Sequence, residues 1–247
     1  MSGPIAAATP GSAPAALRLS VIVITLNEAP VIRACLERLR RLATAGLENS
    51  SMEIIVADGG STDGTTAIAQ EYARTVTQRG GRAAGLNAGA SLAGGDVLLF
   101  LHADTVLPSN AVALVTEALR DPSAVGGRFR VALDNPAWPY RLIAASINMR
   151  DRVLGGFTGD QAVFVRAAVF RAIGGYAPLP LMEDLDFARR LTEHGRVVRI
   201  PETVVTSARR WERGGIARTI LRMWTLRLLY RSGVHPRWLV PHYRDAR

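Results

Sequence analysis

Lysine is absent from the 247-residue sequence, and cysteine occurs only once, at Cys35. A single cysteine excludes an internal disulfide and the common zinc sites built from several cysteines. Because Cys35 lies in a stretch with the helical spacing of apolar residues, we expect a buried structural thiol rather than a reactive one. The lack of lysine leaves arginine to carry the positive charge of the chain.

The basic residues number 30 against 21 acidic residues, which gives a formal net charge of +9. The planar guanidinium of arginine suits bidentate contacts with phosphates and carboxylates. The arginines are densest near the C-terminus, so the charge is compatible with an anionic membrane surface, nucleic acid or a phosphorylated substrate. A genome poor in lysine codons would explain the composition equally well.

Long apolar runs and targeting signals are also absent. No stretch approaches the roughly 20 uncharged apolar residues that a membrane-spanning helix requires. Residues 1–18 are rich in Ala, Pro, Gly and Ser without the features of a secretory signal, so we expect a flexible leader. These absences predict a cytoplasmic protein, and they leave open a peripheral attachment to the inner membrane face.

Short β-branched runs alternate with helical patterns in the first hundred residues. Strands are predicted at Leu19–Thr25, Glu53–Ala57, Thr75–Gln78 and Val97–Leu101. Asn27 is expected to cap the first helix between them, and two further helices are predicted at Thr65–Tyr72 and Ala83–Leu92. This alternation predicts an α/β protein with a doubly wound, mostly parallel sheet flanked by helices.

The second half of the sequence is less regular. Helices are predicted at Ala111–Leu119, Trp138–Leu154, Ala167–Ile173 and Asp184–Glu193. Extended segments are predicted at Ala124–Leu133, Ala162–Val165, Val197–Ile200 and Val204–Thr206, the last two separated by Pro201. Neither a repeat nor a linker follows residue 19, so we expect one domain over residues 19–215.

Polar side chains follow three of the predicted strands. Asn27 and Glu28 come after the first strand, Asp58 after the second, and the segment His102-Ala103-Asp104 after the fourth. Ligands of doubly wound sheets bind beyond the carboxyl ends of the strands. The sequence therefore predicts a ligand site at this edge of the sheet.

Each acidic cluster has a chemical and a purely structural interpretation. Asp104 can bind a hard cation that also ligates a diphosphate, with His102 on the same face, or it can cap a turn beside a core histidine. Asp63 is better placed than Asp58 to cap the next helix, which leaves Asp58 without a local explanation, as expected of a nucleotide contact. The pair Glu183-Asp184 can hold a general base or can complement a helix N-terminus.

Two further polar segments also have both a functional and a structural interpretation. The segment Gly159-Asp160-Gln161 would suit the hydroxyls of an acceptor, and a plain turn explains it nearly as well. The segment Arg209-Arg210-Trp211 could clamp a diphosphate against an aromatic wall, or could form a surface cation–π cluster.

Six motifs in order resemble glycosyltransferase family 2, whose members have the GT-A fold. They are LSVIVITLNE, IIVADGGSTDGT, GRAAGLNAGA, DVLLFLHADT, MEDLDFARRL and ARRW, and the resemblance covers about residues 19–215. It is strongest to a small bacterial subgroup named for arsenosugar biosynthesis, which shares HADT, GDQ, RRW and a tail like LLYRSGVHP.

The resemblance implies a role for each matching position. The donor-binding residues would be Thr25, Leu26, Asn27, Glu28, Asp58, Arg82, Ala103 and Asp104. Asp104 matches the direct metal ligand of the DxD motif, and His102 replaces its first aspartate, so the choice between Mn²⁺ and Mg²⁺ stays open. Asp184, beside Glu183, matches the catalytic base. Arg210 and Trp211 match the end of a Q/RxxRW motif, whose first position is Ser207 here.

The implied reaction is an inverting, metal-dependent transfer of a sugar from a nucleotide diphosphate sugar. The transferred sugar is expected to be a hexose. The donor would be a UDP-sugar, and the acceptor a hydroxyl on a small molecule or a lipid. The rival is a nucleotidyltransferase, which would carry a glycine-rich basic loop after the first strand, where TLNEAP has neither feature. Nucleic acid is not an expected partner, because acidic strand ends repel phosphates when no metal is bound, and no binding motif of that class is present.

The C-terminal segment, residues 216–247, begins with a predicted helix at Ile216–Tyr230. This helix is apolar around most of its circumference, with arginines interspersed, whereas a solvated helix has one polar face. Three environments fit it: packing on the domain, a homodimer interface, or a membrane surface where arginines reach lipid phosphates.

Overall fold

The computed structural model describes residues 17–44, 50–154 and 156–244. Seven strands form one sheet: β1 Leu17–Thr25, β2 Ser50–Asp58, β3 Arg74–Thr77, β4 Val97–His102, β5 Ala124–Leu133, β6 Phe164–Arg166 and β7 Arg196–Thr206. The helices are α1 Ala29–Thr44, α2 Thr65–Gln70, α3 Arg82–Leu92, α4 Ala111–Ala118, α5 Trp138–Leu154, α6 Ala167–Ala172, α7 Glu183–His194, α8 Arg209–Gly214, α9 Ile216–Arg231 and α10 Pro236–Arg244, with a 3₁₀ turn at Gly159–Gln161.

The strand order across the sheet is β3-β2-β1-β4-β6-β5-β7. Strand β1 pairs in parallel with β2 and β4, β2 with β3, and β5 with β7. Among the strands that the structure describes, the short strand β6 alone runs antiparallel to its neighbours, β4 and β5. The predicted α/β fold with a mostly parallel central sheet is confirmed.

Helices cover both faces of the sheet. Alternate residues of β1 enter different cores: Val21 and Val23 pack with α1, α4 and α5, whereas Ile22 packs with α3, α6 and α7. Burial on both faces explains why β1 and β4 are continuous apolar runs rather than alternating ones. Cys35 lies in the first core, and burial raises the pKa of its thiol to about 12, as expected of a structural cysteine.

Strand β1 begins earlier than its sequence pattern indicates. Leu17 and Arg18 were expected in the leader, but they pair with Ser50 and Ser51 of β2, and Arg18 forms an ion pair with Asp96. The boundary of the leader at residue 18 is therefore wrong by two residues. The rest of the predicted leader, residues 1–16, lies outside the described residues.

Pro201 does not divide the last strand as predicted. The pairing of β5 with β7 moves from Phe129↔Ile200 to Arg130↔Thr203, so a bulge accommodates Pro201 within one continuous strand. The bulge lies on an edge strand, where proline removes no essential ladder hydrogen bond. Helix α10 was not predicted, because prolines at 236 and 241 obscure its periodicity.

Two aspartates organise the loops at the sheet edge. Asp63 lies one residue before the N-cap position of α2, where its carboxylate accepts the N–H of Thr65, and it also accepts the N–H of Ala29 at the start of α1. The predicted cap of α1, Asn27, instead adopts a left-handed backbone with φ 55° and accepts the N–H of Thr62. The first helix therefore takes its cap from a distant loop, which local sequence could not reveal.

Asp58 is the second organising residue, and its side chain is completely buried. Its carboxylate accepts the N–H groups of Gly60 and Ser61, at 2.9 and 2.8 Å, and the hydroxyls of Ser61 and Thr25. Burial acts to raise the pKa of Asp58, but these hydrogen bonds hold the pKa below its ordinary value. The expectation that local structure leaves Asp58 unexplained is wrong, because the carboxylate closes an Asx turn.

The C-terminal helices pack on the domain through a small third core. It joins Leu181 and Met182 to Leu226 of α9 and to Leu239 and Tyr243 of α10. Across the described ranges, no helix has the length and apolar character needed to cross a membrane.

The close approach of α3 to the sheet yields a test of the fold. A Cβ added at Gly89 would lie 2.5 Å from Ile22 Cγ2, whereas one added at Gly85 would lie 3.5 Å from Ile24 Cδ1. We expect Gly89→Ala to lower the free energy of unfolding by about 1–3 kcal/mol through overpacking. The matched variant Gly85→Ala should instead be neutral or stabilising by up to about 1 kcal/mol. Urea titration measures both, and equal effects would contradict the packing described.

The buried carboxylate of Asp58 yields a second test. Replacement by Asn should cost about 1–3 kcal/mol at neutral pH, because the amide cannot accept all four hydrogen bonds. The folded-state pKa of Asp58 lies below its unfolded value of about 3.9, so the stabilisation is present above that pH and is lost as the pH falls through the folded-state pKa. The gap between wild type and Asp58→Asn, followed by urea titration, should therefore shrink in acid. A gap that stays constant would mean that the charge of Asp58 is unimportant.

Candidate active site

Strand register brings the predicted polar clusters to one edge of the sheet. Thr25 at the end of β1 lies opposite Asp58 at the end of β2, and Ile24 lies opposite His102 at the end of β4. Because the three strands are parallel, the segments that follow them emerge side by side. The expectation that these clusters share one edge is confirmed.

An arginine bridges two of the clusters. The Nη2 atom of Arg209 lies 2.9 Å from Glu28 Oε2 and 3.0 Å from Asp104 Oδ2. Arg209 begins α8, directly after β7, and Thr206 at the end of β7 approaches Asp104 Oδ1 at 3.5 Å. The family motif matches Arg210 and Trp211, whereas the position of Arg209 between the two carboxylates depends on tertiary contacts.

The other donor-binding candidates divide into buried and exposed positions. Thr25 and Ala103 are buried at the strand ends, where Thr25 donates its hydroxyl to Asp58. Leu26 and Asn27 are exposed on the loop after β1. The carboxylate of Asp58 is enclosed by its own loop, so it organises this edge without presenting a free oxygen to it.

A cleft opens beside this edge, between α7 and the C-terminal helices. Its lining residues are Arg82, Thr158, Asp160, Leu181, Met182, Asp184, Leu185, Arg210, Met223, Arg227 and Tyr243. The predicted residues Arg82, Asp160, Asp184 and Arg210 thus share one cleft. Met223, Arg227 and Tyr243 also line the cleft and were not predicted from the sequence. The sequence signal that could have indicated them is the presence of arginines within the apolar helix α9.

The two adjacent acids Glu183 and Asp184 have different environments. Glu183 is 2% exposed and its Oε1 pairs with Nε of Arg82 at 2.9 Å. Asp184 lies in the cleft lining, where Oδ1 accepts the N–H of Leu185 at 2.8 Å and Oδ2 accepts the N–H of Gly159 at 3.4 Å. Of the two predicted catalytic residues, only Asp184 faces the cleft, and Glu183 holds Arg82 in position.

The helix that carries these acids begins under backbone strain. Met182, directly before α7, has φ 65° and is buried, although its side chain disfavours this left-handed region. Strained residues of this kind concentrate at functional sites, where surrounding structure enforces them. Here Met182 belongs to the third core and lies two residues before Asp184.

His102 packs against the 3₁₀ turn. Its Nδ1 atom lies 3.7 Å from Asp160 Oδ1, and a Cβ at Gly159 would lie 3.1 Å from its Nε2. Burial lowers the pKa of His102, and Asp160 opposes that shift only in part. Burial acts to raise the pKa of Asp160, but His102, Arg210 and Arg82 hold the pKa below its ordinary value.

Two residues predicted to contact acceptor or diphosphate have structural roles instead. Gln161 is buried, its amide oxygen accepts the N–H of Thr158, and its amide nitrogen donates to Phe129 O. Trp211 packs against the first core and is not among the residues that line the cleft. Arg210, in contrast, lines the cleft and lies over the ring of Tyr243 at 5.5 Å.

The carboxylates at the edge fit a divalent cation only in part. Within residues 17–44, 50–154 and 156–244, no three His, Cys, Asp or Glu side chains form a metal-binding group. Glu28 and Asp104 share the same Arg209 nitrogen, so their oxygens lie within about 6 Å of each other. Mg²⁺ usually takes one or two carboxylates together with substrate phosphates, so this pair fits such an ion when a diphosphate supplies further oxygens.

Comparison with known structures supports the fold. The mannosyltransferase PcManGT from Pyrobaculum calidifontis, in complex with GDP-Man and Mn²⁺, superimposes with a TM-score of 0.61 at 22% identity, over 78% of this chain and 57% of that chain. TarS from S. aureus in complex with UDP-GlcNAc gives a TM-score of 0.56 at 18% identity, over 77% of this chain and 58% of that chain. At such identities the likeness shows the shared GT-A fold alone.

Comparison of sequences goes further. The PGL/p-HBAD biosynthesis glycosyltransferase of Mycobacterium bovis is 32% identical over 221 residues, which cover 84% of this chain and 82% of the relative. The sequence model of Glycosyl transferase family 2 matches residues 20–174, more than half of the chain. The chain therefore belongs to glycosyltransferase family 2.

Proposed function

We propose that the protein is an inverting glycosyltransferase that moves a sugar, a hexose by preference, from a nucleotide diphosphate donor to an acceptor hydroxyl with the help of a divalent cation. Family membership supports glycosyl transfer in general. The observation that carries the specific proposal is the position of Asp184, a cleft-lining carboxylate whose neighbour Glu183 is already committed to Arg82.

The sheet edge is the proposed donor side. Glu28 and Asp104 would hold Mn²⁺ or Mg²⁺ together with the donor, and such an ion neutralises the charge that develops on a departing diphosphate. Arg209 lies within hydrogen-bonding distance of both carboxylates, so it can turn toward phosphate oxygens as a charge-assisted donor. Thr25, Leu26, Asn27 and Asp58 would form or support the loop that meets the nucleoside.

The cleft is the proposed acceptor side. Asp184 takes the proton of the acceptor hydroxyl, whose oxygen attacks the anomeric carbon as the bond from that carbon to the diphosphate oxygen breaks. Attack opposite the leaving group inverts the anomeric centre. Two backbone N–H groups donate hydrogen bonds to the carboxylate of Asp184 and hold it in one orientation for this step.

The cleft also carries positive charge that suits an anionic ligand. Arg82, Arg210 and Arg227 line it, and the buried Nε atom of Arg227 has no hydrogen-bond partner among the described residues. A buried unsatisfied donor is costly, so a bound phosphate or carboxylate would relieve it. The diphosphate of the donor and an anionic acceptor both meet this requirement.

The rival function, a nucleotidyltransferase, would need a loop after β1 that binds a triphosphate. Here the N–H groups of Asn27 and Glu28 are taken by the hydroxyls of Ser61 and Thr65, both at 2.8 Å. A loop whose amides are committed in this way is poorly suited to cradle phosphates. This observation favours the transferase.

The nucleotide of the donor and the subgroup of the family are predictions from the sequence resemblance. The neighbours that hold GDP-Man and UDP-GlcNAc share the fold of this chain, so the preference for a UDP-sugar rests on the sequence resemblance. Membership of the subgroup named for arsenosugar biosynthesis likewise stays a prediction, because none of the relatives described above carries that name.

The different environments of the two acids predict different defects. Asp184→Asn should lower kcat by about 10²–10⁴-fold without lowering the melting temperature, because it removes the base and leaves the packing. Glu183→Gln should lower the free energy of unfolding by up to about 3 kcal/mol, because Arg82 loses its buried counter-charge. Melting curves and transfer assays well below the melting temperature separate the two effects. A stable, inactive Glu183→Gln beside an active Asp184→Asn would move the base to Glu183.

The donor site can be tested by thermal melting with UDP-, GDP-, dTDP- and CMP-sugars, with and without Mn²⁺ or Mg²⁺. We expect one nucleotide, with metal, to raise the melting temperature by about 5–10 °C at a hundredfold excess over Kd. Asp104→Ala should abolish this rise. Asp96→Ala is the matched control, because Asp96 lies directly before β4, whereas Asp104 lies beyond the other end of this strand. A rise with free nucleoside triphosphates and with none of the sugar nucleotides would favour the nucleotidyltransferase.

A further inference from the structure

Helix α9 is apolar on two opposite faces, and only one of them is buried. Thr219 and Leu226 are buried, and Met223 and Tyr230 complete this inner face against the domain. About 200° around the helix, Leu221, Trp224 and Leu228 are 70%, 56% and 68% exposed. The inner face accounts for the packing of α9, and the outer face needs a different explanation.

The exposed residues form a coherent surface, which we name the C-terminal apolar face. It consists of Leu221, Trp224 and Leu228 on α9, and Trp238 of α10 is exposed as well. The spacing of Leu221, Trp224 and Leu228 aligns them along one side of the helix. Single exposed apolar residues are ordinary, whereas an aligned group is a candidate interaction surface whose surrounding charge indicates the kind of partner.

The charged residues of this C-terminal segment all have one sign. Residues 213–244 include seven arginines and contain neither aspartate nor glutamate. Arg218, Arg231 and Arg237 are exposed, and the guanidinium of Arg237 lies over the ring of Trp238 at 4.9 Å. An apolar stripe with tryptophan, bordered by arginine, is the pattern of helices that lie in the headgroup region of a bilayer.

The charge also argues against a second copy of the chain as the occupant. A two-fold dimer sets the same surface of each subunit against itself. Here that would bring together two arginine-rich segments, and the part of the chain that the structure describes offers no acidic residue between 213 and 244 to compensate them. An anionic lipid surface is complementary to this face in both charge and apolar character.

We propose that α9 and α10 dock the C-terminal apolar face onto an anionic lipid membrane. Leu221, Trp224 and Leu228 would enter the boundary between headgroups and acyl chains, and Arg218, Arg231 and Arg237 would contact lipid phosphates. The same two helices line the cleft through Met223, Arg227 and Tyr243, so docking brings the cleft next to the membrane surface. This proposal does not depend on the proposed activity.

Vesicle flotation of the full chain tests the docking surface. We expect binding to phosphatidylcholine vesicles that contain about one third phosphatidylglycerol, and at least about tenfold weaker binding to phosphatidylcholine alone or in about 0.5 M salt. The combined variant Leu221→Glu, Trp224→Glu and Leu228→Glu should bind the anionic vesicles at least about tenfold more weakly. All three substitutions lie on the outer face, so the melting temperature should stay unchanged.

The matched control places the same change on another exposed apolar stripe. Trp138, Leu142 and Met149 of α5 are 71%, 60% and 60% exposed, and their replacement by Glu should leave vesicle binding unchanged. Equal loss in both variants, or equal binding to neutral and anionic vesicles, would overturn the proposal. So would a dimer in light scattering that the α9 variant converts to a monomer while vesicles bind neither form. Donor-induced melting shifts, measured on the same variants, report on the transferase separately.

Discussion

The parallel pairing of β1 between β2 and β4 is the constraint on which the site depends. Its register sets Thr25 opposite Asp58 and Ile24 opposite His102, so segments distant in the sequence emerge at one edge. A slip of one residue would turn every side chain of β1 to the other face, and both cores forbid it, because Val21 and Ile22 belong to different ones. Packing on two faces thus determines where the chemistry lies.

Charge compensation completes the arrangement that the sheet begins. Arg209 joins the carboxylates of Glu28 and Asp104, and Arg82 pairs with Glu183. Glu28 and Asp104, which would repel one another, are held together because they share the guanidinium of Arg209. With Glu183 committed to Arg82, the adjacent Asp184 is the acid that faces the cleft, and this division gives two neighbouring residues different roles.

Much of the fold could be predicted from the sequence, because the periodicity of buried strands and amphipathic helices is a local signal. The failures arose where a distant partner decides the outcome. Pro201 reads as a break, but a bulge opposite β5 accommodates it. The sequence predicts Gln161 to be a polar contact in a turn, but its side-chain amide forms hydrogen bonds with the backbone of Thr158 and Phe129. Trp211 reads as an aromatic wall, but it packs against the core.

The sequence by itself determined the α/β class, the family and the polar clusters after three strands, because strand patterns and ordered motifs are properties of neighbouring residues. Only the tertiary structure decided which of Glu183 and Asp184 faces the cleft, that Arg209 bridges two carboxylates, and that α9 buries one apolar face and exposes the other. The physical reason is that an ion pair or a buried face needs partners from elsewhere in the chain. Spacing along the sequence does not specify which partners arrive.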